Sequence, residues 1–189
     1  DTPAPGGILY FDDRGRWTEL AHNGPLARLA GALDRAAPHP AVLTVDLRGW
    51  GDTRPAFVPY EIAGWAQPER WLSYVSAALG DPILSMRIRD GLASLAYLRS
   101  RIGDRPIVVA GHGMGAVVAL HVAVIDGRVR AVVADSPLAS FRLLAEAESY
   151  AWDAGAFFPG VLRHYDLPEL AATLKSPLLL INPLDAQKR

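Results

Sequence analysis

The chain has 189 residues, of which half are hydrophobic, no cysteine, and a formal net charge of −1. The lack of cysteine excludes disulfides, thiolate chemistry and cysteine-based zinc sites. The near-neutral charge gives no electrostatic reason to expect nucleic acid or an anionic membrane as a partner. No apolar stretch reaches the ~18 residues of a membrane span. Residues 1–7 lack a signal-peptide pattern, and these observations together assign no cellular compartment.

Short apolar runs alternate along the chain with segments of helical periodicity. The runs predict five strands, at residues 8–11, 41–45, 107–111, 131–135 and 177–182. Continuous apolar strands separated by helices are typical of a parallel sheet that is covered on both faces. The sequence therefore predicts a single α/β domain over residues 1–189, a doubly wound and mostly parallel sheet flanked by helices.

Helical spacing and end signals place the segments between the strands. Helices are predicted at 26–33, at 84–101, from the turn at Gly113 to a left-handed cap at Gly127, in a looser region at 140–150, and after Asp166. Glu169 stands three residues after Asp166, which is the spacing of a capping box. Residues 54–81, where the regular pattern is lost, and residues 139–165 are candidate cap segments over a pocket, although 54–81 would serve equally as a surface insertion packed on its own aromatic residues.

The segment around Gly111-His112-Gly113-Met114-Gly115 carries the strongest functional signal. A β-branched run ends at a glycine, and small and apolar residues that can begin a helix follow directly. This strand–turn–helix pattern is that of the G-x-S-x-G nucleophile elbow, in which the central residue lies at the apex of a strained turn. Here the apex is Gly113, which accepts a positive φ at little cost and has no side-chain atom with which to attack a substrate.

Three features in the right order resemble the α/β-hydrolase superfamily, and within it acetylxylan esterases and prolyl-oligopeptidase-like enzymes. They are the strand–helix alternation, the D-x-R-G-x-G loop at residues 46–52, and the turn at Gly113. The resemblance implies that the five strands correspond to the third to seventh of eight. It therefore leads us to expect a domain truncated at both ends, with no catalytic histidine after the last strand.

The resemblance also assigns expected roles to individual residues. Gly113 takes the position of the nucleophile, the backbone N–H of Met114 is an oxyanion donor, and Asp185 is the candidate acid, with Asp135 as its rival. A second oxyanion donor would come from residues 11–13. Expected substrate contacts are Phe11, Asp12 and His112. The carboxylates at positions 12 and 13 would disfavour a developing oxyanion unless they point away.

The remaining polar residues suggest structural roles. We expect His112 to be a hydrogen-bonded structural histidine, and none of the other histidines replaces the missing triad member. Asp46 and Arg48 should fix their loop, and Asp52 should be solvated. We see no spacing of histidines and carboxylates that predicts a metal site, and we expect no cofactor.

Three readings of function follow. The first is a carboxylic-ester hydrolase lineage of acetyl-esterase type, acting on a small-molecule ester or an acylated carbohydrate and inactive as written. The second is a non-catalytic pseudo-hydrolase that binds a ligand or serves as an assembly surface. The third is a fragment whose sheet is completed by another segment or chain.

Overall fold

A computed structural model of the chain describes residues 5–17, 24, 27, 39–55 and 67–189. The helix predicted at 26–33 lies, apart from residue 27, outside the described residues, as does the middle of the 54–81 segment.

The sheet has five strands, all parallel, in the order β2-β1-β3-β4-β5. This confirms the predicted fold class. The register pairs Asp12 of β1 with His112 of β3, and His112 with Asp135 of β4. Three polar residues thus end neighbouring strands at one edge of the sheet, where parallel α/β folds place their ligands. The strands are β1 (Gly7–Asp12), β2 (Ala41–Thr44), β3 (Ile107–His112), β4 (Ala131–Asp135) and β5 (Leu178–Ile181).

Five α-helices lie within the described part of the chain. The first, of 11 residues, falls inside the 54–81 segment, where no helix is predicted. Its proline occupies the first helical turn, where the missing N–H costs nothing; the same residue looks like a helix breaker in the sequence. The helices are α1 (Pro68–Ala78), α2 (Ile83–Ile102), α3 (Met114–Asp126), α4 (Phe141–Glu146) and α5 (Leu167–Ala172).

The predicted end signals are confirmed. Gly127 ends α3 in the left-handed conformation with a φ of 68°, and Asp166 and Glu169 form the reciprocal capping box at α5. The looser helical region at 140–150 is a shorter helix, which begins after the capping side chain of Ser140 and ends at Glu146.

Helix α3 is the centre of the core. Every residue from Met114 to Ala123 is buried, because α3 packs on the sheet, on α2 and on α5. A helix enclosed in this way needs apolar residues on all sides. None of the helices that the structure describes combines the length and apolar character required to cross a membrane.

Strand β5 forms an open edge of the sheet. Leu179, Leu180 and Ile181 are 56%, 47% and 41% exposed. Since successive residues of a strand point to opposite faces, both faces of this edge are accessible within the described residues.

An ion pair joins the ends of the two helices beside the sheet. Arg99 of α2 donates to both carboxylate oxygens of Asp126 at the end of α3, at 2.5 and 2.6 Å. The hydrogen bonds from Arg99 lower the pKa of Asp126 to about 2. The pair fixes the position of α3, whose other end forms the turn at Gly113.

Replacing Asp126 by Asn should lower the free energy of unfolding at pH 7 by about 1–2 kcal/mol. The folded pKa lies below the ~3.9 of an unfolded aspartate, so the stabilisation is complete above that value and disappears as the pH falls through the folded pKa. The difference between wild type and variant should therefore shrink from about pH 4 to about pH 2.

Urea unfolding across this pH range measures the effect. The matched control is Asp104→Asn, because Asp104 is exposed, follows the end of α2 and acts on Arg99 only through its charge, so its replacement should change stability far less. A stability difference for Asp126→Asn that does not depend on pH would contradict the role of the charge.

Candidate functional site

Gly113 lies at the apex of a sharp turn between β3 and α3. Its φ and ψ are 57° and −127°, a region that L-residues rarely adopt. Neighbouring glycines allow the close packing that the turn needs. A Cβ atom on Gly111 would overlap the backbone of Gly115, and one on Gly115 would overlap the carbonyl of Phe11 in β1. The backbone therefore has the sharp strand–turn–helix form expected of the elbow, and no side chain stands at its apex.

Both N–H groups of the turn already have partners. Gly113 N–H donates to the carbonyl of Asp135 at 3.0 Å. Met114 N–H, expected to be an oxyanion donor, donates to Oδ2 of Asp13 at 2.9 Å. A carboxylate from the loop after β1 thus occupies the position that the resemblance leads us to expect for a substrate oxygen. Sequence reasoning drew attention to this carboxylate only as an electrostatic obstacle.

Asp13 is ionised at neutral pH. Burial raises the pKa of its carboxyl, but the neighbouring His112 side chain and the Met114 N–H lower it by more, so the pKa lies below its usual value. The positive end of the α3 dipole acts in the same direction. A fixed negative charge therefore faces the turn.

The side chains of Asp12 and Phe11 are engaged inside the protein. Asp12 is 3% exposed and accepts hydrogen bonds from Tyr10 Oη at 2.9 Å and from the Arg14 backbone and guanidinium at 2.9, 3.0 and 3.1 Å. Phe11 is completely buried in the core. Both side chains are buried and make their contacts within the protein, and the substrate contacts expected at these two positions stay a prediction.

His112 differs from the expected hydrogen-bonded histidine. Its Nδ1 lies 3.8 Å from Oδ1 of Asp12 and 3.8 Å from Oδ1 of Asp13. Among the described residues it is the only buried side-chain nitrogen or oxygen without a hydrogen-bond partner. Burial lowers the pKa of the imidazole, but the two carboxylates raise it by more.

The same three residues form a cluster that spacing in the sequence did not predict. One ligand atom from each of Asp12, Asp13 and His112 lies within 4.8 Å of the others. The cluster arises because Asp12 and His112 are register partners in β1 and β3. The only sequence signal for this pairing is that a polar residue stands at the end of each of the two strands.

The candidate acids serve local structure. Oδ1 of Asp185 accepts hydrogen bonds from the N–H groups of Gln187 and Arg189 at 2.8 and 3.0 Å, which closes a turn after β5. Asp135 accepts the hydroxyl of Ser136 at 2.9 Å.

The loop at residues 46–52 has the predicted structural role. Asp46 accepts from the N–H groups of Arg16 and Asp52, and Arg48 forms a bidentate pair with Asp90. Asp52 is exposed, as expected, and binds Arg16.

A second ion pair near this loop was not predicted. Arg87, 1% exposed, donates twice to Glu69 at 2.6 Å and lies 4.2 Å from the ring of Trp50. The pair borders a cavity of about 280 Å³ beside the elbow. Its lining is mostly polar and comprises Asp13, Arg14, Gly49, Trp50, Gly51, Arg54, Gln67, Glu69 and Asp153.

Comparison with known proteins gives one family. The sequence profile described as "Alpha/beta hydrolase family" matches residues 6–186. A comparison with curated proteins finds no match.

Several solved structures share the fold. A Bacteroides fragilis protein with a provisional assignment as an acetyl xylan esterase is 16% identical, with a TM-score of 0.71, and the match covers 95% of this chain and 52% of that one. The acetyl xylan esterase from Paenibacillus sp. R4 is 20% identical, with a TM-score of 0.61 and coverages of 94% and 58%. The acylaminoacyl peptidase of Pyrococcus horikoshii is 15% identical, with a TM-score of 0.51 and coverages of 93% and 27%. This chain thus spans little more than half of the two esterases.

Replacing Gly113 by Ser should destabilise the protein for two reasons. The backbone conformation costs a residue with a Cβ about 1–3 kcal/mol, and that Cβ would overlap the Asp13 carboxylate. Adding Asp13→Ala should recover part of the loss because it removes the overlap. Thermal or urea unfolding of the single and double variants measures both contributions.

Gly127→Ser is the matched control. Gly127 also has a positive φ, but a Cβ there meets nothing within 4 Å. Equal losses for Gly113→Ser and Gly127→Ser, or no recovery in the double variant, would contradict the overlap with Asp13.

Proposed function

Because the chain belongs to the alpha/beta hydrolase family, we propose that it is a non-catalytic domain of carboxylic-ester hydrolase lineage, of the acetyl-esterase type. The observation that carries the proposal is the hydrogen bond from Met114 N–H to the Asp13 carboxylate beside an apex without a side chain. The family and fold are shared with active enzymes, so only the residues of the site can distinguish a non-catalytic domain from an active one.

Acyl transfer requires a nucleophile and free donors for the oxygen that becomes negative. Loss of the serine in a triad enzyme costs on the order of 10⁶ in kcat, and loss of one oxyanion donor costs on the order of 10²–10³. In this chain Gly113 offers no attacking atom. The Asp13 carboxylate would also have to leave Met114 N–H before a substrate oxygen could bind there, and its charge would repel the developing oxyanion.

A binding role agrees with the surroundings of the turn. The 280 Å³ cavity lies beside Asp13 and is lined mainly by charged and amide side chains. Such groups suit a small polar ligand with several hydroxyl or amide groups. Two of the similar structures carry names of acetyl xylan esterases, and we propose an acylated carbohydrate as the ligand class that this pocket retains.

The open edge at β5 favours a second candidate, in which another segment or chain completes the sheet. Three successive aliphatic residues are exposed there, and an exposed apolar edge strand pairs readily with further polypeptide. A completed sheet would bring additional residues to the site, but it would not supply a side chain at Gly113.

The wild-type chain and Gly113→Ser should neither hydrolyse p-nitrophenyl acetate above the uncatalysed rate nor react with a fluorophosphonate probe. The added hydroxyl would find Met114 N–H bound to Asp13, and we place no general base beside it. Mass spectrometry of the labelled protein and initial-rate measurements test both statements.

Ser136→Ala is the control for an unsuspected nucleophile, because Ser136 follows β4 with a φ of 51° and bonds Asp135. The prediction is contradicted if the probe labels the wild type and Ser136→Ala abolishes that labelling. It is also contradicted if Gly113→Ser alone hydrolyses the ester.

A further inference from the structure

We propose that Asp12, Asp13 and His112 bind a divalent transition-metal ion, such as Zn²⁺ or Co²⁺, at the carboxyl ends of β1 and β3. The three side chains offer one nitrogen and two oxygens within 4.8 Å of one another. The site goes beyond the proposed non-catalytic function and does not depend on it.

The distances within the cluster suit two ligands of one ion better than a direct hydrogen bond. His112 Nδ1 is 3.8 Å from an oxygen of each aspartate, beyond the ~2.7–3.2 Å of an N–H···O hydrogen bond. Ligand atoms that each lie about 2.0–2.2 Å from a common ion are about 3–4 Å apart. An ion among the three side chains would have to replace at least one of the two hydrogen bonds that Asp12 Oδ1 accepts from Arg14.

One nitrogen of His112 is the atom in the cluster that most clearly calls for a ligand. Its Nδ1 is buried and has no hydrogen-bond partner among the described residues. Buried polar atoms are nearly always satisfied by a partner. The nitrogen faces both carboxylates, and a metal ion would satisfy it.

Outer contacts hold the two carboxylates in place. Tyr10 Oη and Arg14 bind Asp12, and Met114 N–H binds Oδ2 of Asp13. The oxygen of Asp13 that lies near His112 is Oδ1, so Oδ2 can keep its bond to the backbone. Hydrogen bonds of this kind orient the side chains that bind a metal directly, and they raise metal affinity in known sites.

The donor set selects the class of ion. Imidazole nitrogen with carboxylate oxygen suits zinc, cobalt and manganese, whereas calcium and magnesium prefer oxygen alone. Arg14 offsets the charge of Asp12, and Lys188 lies close enough to act on Asp13. These cations weaken the attraction for a metal ion, so we expect weaker binding than at a site without them, and coordination positions that remain open to water or a ligand.

The competing explanation is that a protonated His112 simply balances the two carboxylates. Isothermal titration of metal-free protein with Zn²⁺, and absorption spectra during addition of Co²⁺, distinguish the two at pH 7. The metal site predicts one ion per chain and binding that weakens by about tenfold or more in His112→Ala and Asp13→Asn. The ion pair predicts no such binding.

His164→Ala is the matched control, because His164 is exposed and lies outside the cluster. It should bind Zn²⁺ like the wild type. No binding at submillimolar metal, or equal binding by the wild type, His112→Ala and Asp13→Asn, would overturn the proposal.

A measurement on the wild type alone covers the case in which a variant fails to fold. The ring resonances of His112 in the NMR spectrum should shift on addition of one equivalent of Zn²⁺, while those of His164 stay in place. Unchanged His112 resonances at saturating Zn²⁺ would exclude this residue as a ligand.

Discussion

The close approach of three chain segments at the turn after β3 is the constraint on which the site depends. Gly111 and Gly115 leave no room for a Cβ against the backbone that faces them, and Gly115 lies directly against β1. This contact brings the end of β1 to the first turn of α3. Asp13 can therefore reach Met114, a residue 101 positions later in the chain. A larger residue at Gly111 or Gly115 would push these segments apart. The polar contacts between the end of β1 and the start of α3 would then be lost.

The contact also decides the electrostatics of the turn. The first N–H groups of a helix carry partial positive charge and bind anions. In a serine hydrolase that property stabilises the substrate oxyanion. Here the protein supplies its own anion, and a second carboxylate and an imidazole gather around it. The same backbone geometry thus supports a filled polar cluster in place of an open catalytic centre.

Most of the architecture could be predicted because it depends on local patterns. The five strands, their parallel arrangement, the cap at Gly127 and the box at Asp166 follow from apolar runs and end signals within a few residues. Helix α1 was not predicted because proline is common both in the first turn of a helix and in loops. The sequence alone does not distinguish the two. The cluster around His112 could not be predicted, since it depends on the register between β1 and β3. The burial of Phe11 and Asp12 could not be predicted for a related reason: the sequence does not show which side of a strand end faces the core.

The filled turn has a consequence for the dynamics of the backbone. Amide hydrogens at the first position of a helix commonly exchange with solvent quickly, because no helical carbonyl protects them. Met114 is buried and its N–H is bound to a carboxylate that the fold holds in place. Deuterium should therefore enter this amide only when β1 and α3 separate, which makes its exchange rate a direct report on the opening of the sheet around Gly113.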